Sequence, residues 1–123
     1  WLKSGGYLII EQTEALSVID VNSGKNVTKA KSMEAIEASA LKTNLEAADK
    51  LCQQIKVRNL SGIIIVDFIN MNQRNCDILM EHLKFLAKKD IVNTTIVDIT
   101  KLGLVEITRK KIGKSLSESL NKA

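Results

Sequence analysis

The hydrophobic positions change their period several times along the chain, and each change marks an element. Tyr7 to Ile10 and Ala15 to Val21 are two β-type runs separated by the polar Glu11-Gln12-Thr13-Glu14, a spacing that predicts an antiparallel hairpin. The second run alternates. Leu16, Val18 and Asp20 point one way and Ser17, Ile19 and Val21 the other, with Asn22 joining the face of Asp20 if the strand continues. After a polar stretch, apolar residues at Met33, Ile36, Ala40, Leu45, Ala48, Cys52 and Ile55 recur at helical spacing. Ser32 is a suitable N-cap for that helix, and Arg58-Asn59-Leu60-Ser61-Gly62 is a suitable stop.

Ile63-Ile64-Ile65-Val66 is a continuous β-branched run between Gly62 and Asp67, the pattern of a central strand buried on both faces. Asn72 to Lys89 predicts a second helix with Cys76, Leu79, Leu83 and Leu86 inward, and Thr94 to Ile99 a strand. Leu104 to Thr108 alternates as a further strand, before a short amphipathic helix around Ser115 to Leu120. The resulting order, β-β-α-β-α-β-β-α, predicts an α/β (α+β) fold: a mixed sheet, parallel at helical crossovers and antiparallel at hairpins, with flanking helices. Ligands of such sheets bind outside the carboxyl ends of the parallel strands.

That rule directs attention to Asp67, a carboxylate placed directly after four apolar strand residues, and to Asp20, placed likewise after Leu16-Ser17-Val18-Ile19. A charge at the rim of a buried sheet is costly unless matched. Two strand-end carboxylates with Asn22 beside the first form a hard-oxygen set suited to Mg²⁺, which takes one or two carboxylates plus waters and substrate phosphate. The alternative is that each aspartate only caps a strand or turn. His82 is the sole histidine and lies among polar helical neighbours, so a Ser-His-Asp arrangement has little support. Asn22-Ser23-Gly24-Lys25 lacks the leading glycine of a phosphate-binding loop, and Gly5-Gly6 and Gly103 read as turn residues.

Charge narrows the set of partners. The chain of 123 residues carries a net charge of +4, and the whole surplus falls after residue 100. Arg109, Lys110, Lys111 and Lys114 are its dense part, either a solvated basic end or a patch that grips phosphate and weakens with salt. Aromatics make up only 3%, which argues against a base-stacking platform. Cys52 and Cys76 have no metal-ligand spacing and read as buried thiols. No apolar run is long enough to span a membrane and no signal-peptide pattern is present, so a cytoplasmic location is expected. The length fits a single domain over 1–123, and the opening at Trp1, running directly into Ser4-Gly5-Gly6, reads as a piece of a larger protein.

Five blocks then point to one family. Ser4-Gly5-Gly6-Tyr7-Leu8-Ile9-Ile10, Glu14-Ala15-Leu16 through Ile19-Asp20-Val21-Asn22-Ser23-Gly24, Thr43-Asn44-Leu45-Glu46-Ala47-Ala48, Arg58-Asn59-Leu60-Ser61-Gly62 through Val66-Asp67-Phe68-Ile69, and Gly103-Leu104-Val105-Glu106-Ile107-Thr108-Arg109 resemble the bacterial ribonuclease E/G family. They stand in family order and cover nearly the whole chain. The resemblance implies the deoxyribonuclease I-like catalytic subdomain of an endoribonuclease of RNA processing and decay, acting on single-stranded RNA and leaving 5′-phosphate and 3′-hydroxyl ends. It implies that Asp20 and Asp67 bind the catalytic Mg²⁺, that Asn22 orients Asp20, and that Arg109 and its basic neighbours hold the RNA backbone. Asn70 stands where the family often has a second acid, which removes a supporting carboxylate only.

The resemblance also implies what 123 residues cannot contain: an RNA-binding domain with a 5′-end sensor, a ribonuclease H-like domain, and a zinc-binding cysteine pair joining subunits of an oligomeric parent. This piece alone is therefore expected to cleave little or no RNA. Two other readings stand beside it. A receiver-like phosphoacceptor domain has the right length and an aspartate after a central strand, but fits poorly the opening hairpin and the single strand between Asp67 and Lys101. A non-catalytic RNA-binding module would use the tail charges alone.

Overall fold

The computed structural model describes residues 1–24, 32–89, 94–100 and 103–110. In chain order these form β1 (Tyr7–Gln12), β2 (Leu16–Asn22), α1 (Met33–Arg58), β3 (Gly62–Asp67), α2 (Gln73–Lys88), β4 (Thr94–Ile99) and β5 (Val105–Arg109). The five strands make one sheet in the order β1-β2-β3-β5-β4. Only β2 and β3 run parallel; β1 with β2, β3 with β5, and β4 with β5 are antiparallel. This is the mixed α+β arrangement the periodicities predict, and the expected helix around Ser115 to Leu120 lies outside the described residues. A receiver domain, whose strands are all parallel in a doubly wound sheet, does not match this topology.

Local chemistry sets the element ends. The Thr13 side chain closes the β1–β2 turn, its Oγ1 donating to the Leu16 carbonyl at 2.7 Å and accepting from the Leu16 N–H at 3.2 Å. Ser32 caps α1 by accepting from the Ala35 N–H at 3.0 Å, and Asn72 caps α2 by accepting from the Asn75 N–H at 2.9 Å. α1 stops at Asn59, which turns left-handed at φ 51° and bonds back to the Ile55 and Lys56 carbonyls.

Both helices lie on the same face of the sheet. Ile19, Val21, Ile64, Val66, Ile96, Val105 and Ile107 point from the strands into a core completed by Ala47, Ala48, Leu51 and Ile55 of α1 and Leu79 and Leu83 of α2. The stripe on α1 differs from the expected one. Its buried residues begin at Ala40 and include Thr43, Asn44 and Leu51, whereas Met33 and Ile36 are exposed and Leu45 and Cys52 half-buried. Neither cysteine is fully buried as expected; Cys52 and Cys76 are half-buried, and neither forms a disulfide. Burial, aided by the nearby Asp77 and Glu37 carboxylates, pushes the Cys76 thiol above its ordinary value.

The expectation that β3 is buried on both faces is corrected. Ile64 and Val66 are fully buried, but Ile63 is 45% exposed and Ile65 half-buried. The reason is one-sided coverage: both crossovers place their helix on the same side. The opposite face, carrying Ile9, Leu16, Val18 and Ile63, remains open among the described residues.

Candidate metal centre

The parallel register of β2 and β3 decides the geometry of the site. Leu16 pairs with Ile63, Val18 with Ile65, and Asp20 with Asp67, so the two aspartates sit opposite one another at the carboxyl ends of adjacent strands. Neighbouring strands are about 4.8 Å apart. Strand alternation puts both carboxylates on the open face, away from the helices. Asp20 is half-buried and Asp67 exposed. Among the described residues neither has a Lys, Arg or His ion-pair partner. Two like charges side by side across a strand pair are destabilising by themselves.

Asn22 follows on the same face, because β2 continues through it. Its side-chain Nδ2 is buried and has no hydrogen-bond partner. A buried amide donor without a partner costs free energy and is rare in a folded chain. It is therefore a donor available at the site, two residues from Asp20.

The strand end is backed by a close seam of glycines. A Cβ added at Gly6 would lie 2.5 Å from the Asn22 carbonyl oxygen, and one at Gly24 would lie 2.5 Å from the Gly5 carbonyl oxygen. The expected turn role of Gly5-Gly6 thus becomes, at Gly6, a requirement for close backbone approach. Gly6→Ala is expected to destabilise the protein. Reduced backbone freedom in the unfolded chain would contribute a gain of about 0.4–1 kcal/mol, but forcing a Cβ against a backbone oxygen costs about 1–3 kcal/mol. Thermal denaturation of the variant checks the sign.

Helix α1 holds both segments that flank the carboxylates. Glu46 accepts from the Ser4 N–H at 3.1 Å, and the Thr43 Oγ1 meets the Ser4 Oγ at 3.4 Å, which anchors the loop leading into β1. Asn44, fully buried, donates from Nδ2 to the Ile69 carbonyl at 2.9 Å and accepts from the Ile69 N–H at 3.0 Å. Glu37 accepts from the Asn72 N–H at 2.9 Å and the Asn75 side chain at 2.8 Å. The chemical reading of the sequence did not single out Asn44. The signal was a polar amide at an inward helical position, between Ala40 and Ala47-Ala48.

The basic residues fall elsewhere. Arg109 pairs with Gly62 at the amino end of β3, five residues and roughly 16 Å along the strand from Asp67. It is buried, with its guanidinium donating to the Asn59 side chain at 3.0 Å and the Leu60 carbonyl at 2.9 Å. The structure therefore does not bring Arg109 together with the two aspartates. Arg109 shares the inward phase of Val105 and Ile107, and its charge ties β5 to the end of α1. Lys110 is exposed next to it, at that same far end, and Lys111 and Lys114 lie outside the described residues. Asn70 is exposed in the loop after β3. His82 places its Nε2 2.7 Å from an Asp49 carboxylate oxygen in the helical layer, on the other side of the sheet from Asp20 and Asp67.

The donor set fits a hard divalent cation. Mg²⁺ keeps several waters and binds through one or two carboxylates together with substrate phosphate, and Asp20 and Asp67 provide that number of charged oxygen ligands on an accessible face. No group of three or more His, Cys, Asp or Glu suited to an all-protein cage occurs among the described residues. No helix among them is long and apolar enough to cross a membrane.

Residues 1–112 match the Ribonuclease E/G family. The chain is 48% identical over 118 residues to a ribonuclease E of Synechocystis sp., with 95% of the chain and 17% of that relative aligned. It is 45% identical over 117 residues to a ribonuclease E/G-like protein of Porphyra purpurea, covering 93% of the chain and 22% of the relative. It is 42% identical over 120 residues to a ribonuclease G of Salmonella typhimurium, covering 97% of the chain and 24% of the relative. The chain thus spans about a fifth of the length of these relatives.

Proposed function

Because this chain belongs to the Ribonuclease E/G family, we propose that it is the deoxyribonuclease I-like catalytic part of a Mg²⁺-dependent endoribonuclease, with Asp20 and Asp67 as the metal ligands. The observation that carries this reading is the in-register placement of those two carboxylates on the open sheet face. Among the described residues nothing covers that face, which leaves room for an extended RNA strand to reach both carboxylates. Bound there, Mg²⁺ supplies Lewis-acid polarisation of a phosphodiester and offsets charge on its non-bridging oxygens.

The chain's own residues bind and orient. Asp20 and Asp67 would supply the anionic oxygens, and binding a cation there would relieve their mutual repulsion. Asn22, whose buried Nδ2 has no partner in the structure, is the donor we assign to orient Asp20, a bond that would form as the site binds its cation. The glycine seam keeps Asn22 in place from behind. Arg109 acts as a structural tie, and backbone contacts to RNA fall to Lys110 and the basic residues Lys111 and Lys114 that follow it.

The substrate we assign is single-stranded RNA, cut internally to 5′-phosphate and 3′-hydroxyl ends in the cytoplasm, during rRNA processing and mRNA decay. The remaining four-fifths of a protein the length of the relatives would supply RNA-binding and ribonuclease H-like domains and the contacts of a homo-oligomer. Treating single-stranded RNA with the intact protein tests the reaction class. Internal cleavage to 5′-phosphorylated products should disappear with a chelator and return with added Mg²⁺. Chelator-insensitive cleavage, or products ending in a 2′,3′-cyclic phosphate, would contradict it. RNA binding without any cleavage would favour the non-catalytic module.

A further inference from the structure

We propose that Asn44 is a positioning residue for Asp67, acting through the peptide unit on either side of Ile69; the inference rests on the metal-ligand reading of Asp67. Asp67 ends β3, and the chain must leave the sheet directly after it to reach α2 at Gln73. A carboxylate on the last residue of a strand has the ladder to hold it on one side only. Val66, fully buried, fixes the residue before.

The loop is held from α1. Phe68 is buried in the core, and Ile69 has both its backbone N–H and its carbonyl bonded to a single side chain, that of Asn44. An asparagine amide carries a donor and an acceptor at fixed separation, so engaging both fixes the orientation of the residue it grips as well as its position. Asn44 is itself completely buried, between Thr43 and the Ala47-Ala48 pair. Water does not compete at such a depth, and the amide cannot swing away without leaving its own donor and acceptor unpaired. Three residues further along, Glu37 of the same helix grips Asn72 and Asn75. The loop from Phe68 to Asn72 is thereby clamped at both ends to one rigid element.

The same turn of α1 also serves the other carboxylate. Thr43 and Glu46, flanking Asn44, bond to Ser4, and the Ser4-Gly5-Gly6 segment packs against the Asn22 and Gly24 backbone at the end of β2. One helical turn therefore spans from the segment behind Asp20 and Asn22 to the segment following Asp67. Helix α1 is the crossover between β2 and β3, so the connection that makes these strands parallel also sets the spacing of their ends.

Loss of Asn44 would leave the Ile69 N–H and carbonyl without partners inside the protein, which is unfavourable for buried polar groups. The loop relieves that cost by turning toward solvent, which carries Asp67 with it. Metal affinity then falls even in molecules that remain folded. Removing groups that orient metal ligands lowers affinity by about 10–100-fold.

The test uses Mn²⁺ as the probe, with free Mn²⁺ followed by electron paramagnetic resonance during titration of the intact protein. Asn44→Leu, which keeps the volume and removes both bonds, should raise the half-saturating Mn²⁺ concentration by about tenfold. Asn44→Ser leaves one uncharged hydroxyl, which can meet the Ile69 N–H or its carbonyl but not both, so it should shift binding in the same direction by less. It also carries the test if Asn44→Leu fails to fold. Wild-type half-saturation in the folded fraction of these variants, whatever their stability, overturns the proposal by showing a packing role only. Asp67→Asn separates the two claims: unchanged Mn²⁺ binding in that variant removes the metal-ligand reading itself, independently of Asn44.

Discussion

Asp67→Asn and Asp20→Asn are each expected to lower metal-dependent RNA cleavage by the intact protein about a thousandfold, without lowering its stability. The rate figure corresponds to roughly 4 kcal/mol of lost transition-state stabilisation, within the several kcal/mol that Lewis-acid catalysis supplies. Asparagine keeps the shape of the side chain and one oxygen ligand, but removes one of the two negative charges that make the pair a cation site. The stability half of the prediction follows from geometry. Asp67 is exposed and Asp20 half-buried, they face each other across parallel strands, and neither has a cationic partner among the described residues. Removing one charge relieves repulsion, so the melting temperature should hold or rise. If the aspartates only capped strand ends, the variants would lose stability and keep turnover. Cleavage assays paired with thermal melts distinguish the two.

Ile64→Ala is expected to destabilise the chain by about 2–5 kcal/mol, whereas Ile63→Ala, one residue away, should cost no more than about 0.5 kcal/mol. Ile64 is fully buried beneath the helices, pairs with Ile107 across β5, and leaves a cavity when truncated. Ile63 points to the open face and is 45% exposed. Urea denaturation of the two variants measures the difference. Equal losses would contradict a sheet that the described residues cover on one side only.

That contrast shows how much of the fold was legible. Every described strand and helix follows from periodicity, and Ser32, Asn72 and the Arg58 to Gly62 stop mark ends that the structure reproduces. The run Ile63 to Val66 shows the limit. Four consecutive apolar residues tell that a strand is central, but not whether the second face is covered, because that depends on which side each crossover helix takes. Asp20 and Asp67 are legible in the sequence as two strand-end acids that could share a cation. Their in-register placement on adjacent strands is not, since register arises from the sheet's assembly and a slip by one residue would put them on opposite faces.

Arg109 and Asn44 are both polar residues at inward positions, and composition hides the phase of each. The cluster Arg109-Lys110-Lys111 looks like a surface patch by composition, yet the alternation of Val105 and Ile107, continued by two, brings Arg109 inward. Counting charge obscured phase. Asn44 sits where the stripe of α1 calls for an apolar residue, and a polar residue in phase with Ala40, Ala47 and Leu51 has to find its partners inside the protein. Its partner, Ile69, lies 25 residues away and past a strand. The periodicity could flag the residue but not what it holds.

If Asp20 and Asp67 together hold the divalent ion used to cut RNA, anomalous X-ray scattering from crystals of the intact protein grown with Mn²⁺ will show a peak in coordinating contact with both carboxylates, lost in Asp67→Asn crystals. A cleavage-competent protein whose Mn²⁺ lies elsewhere, or touches neither aspartate, would contradict it.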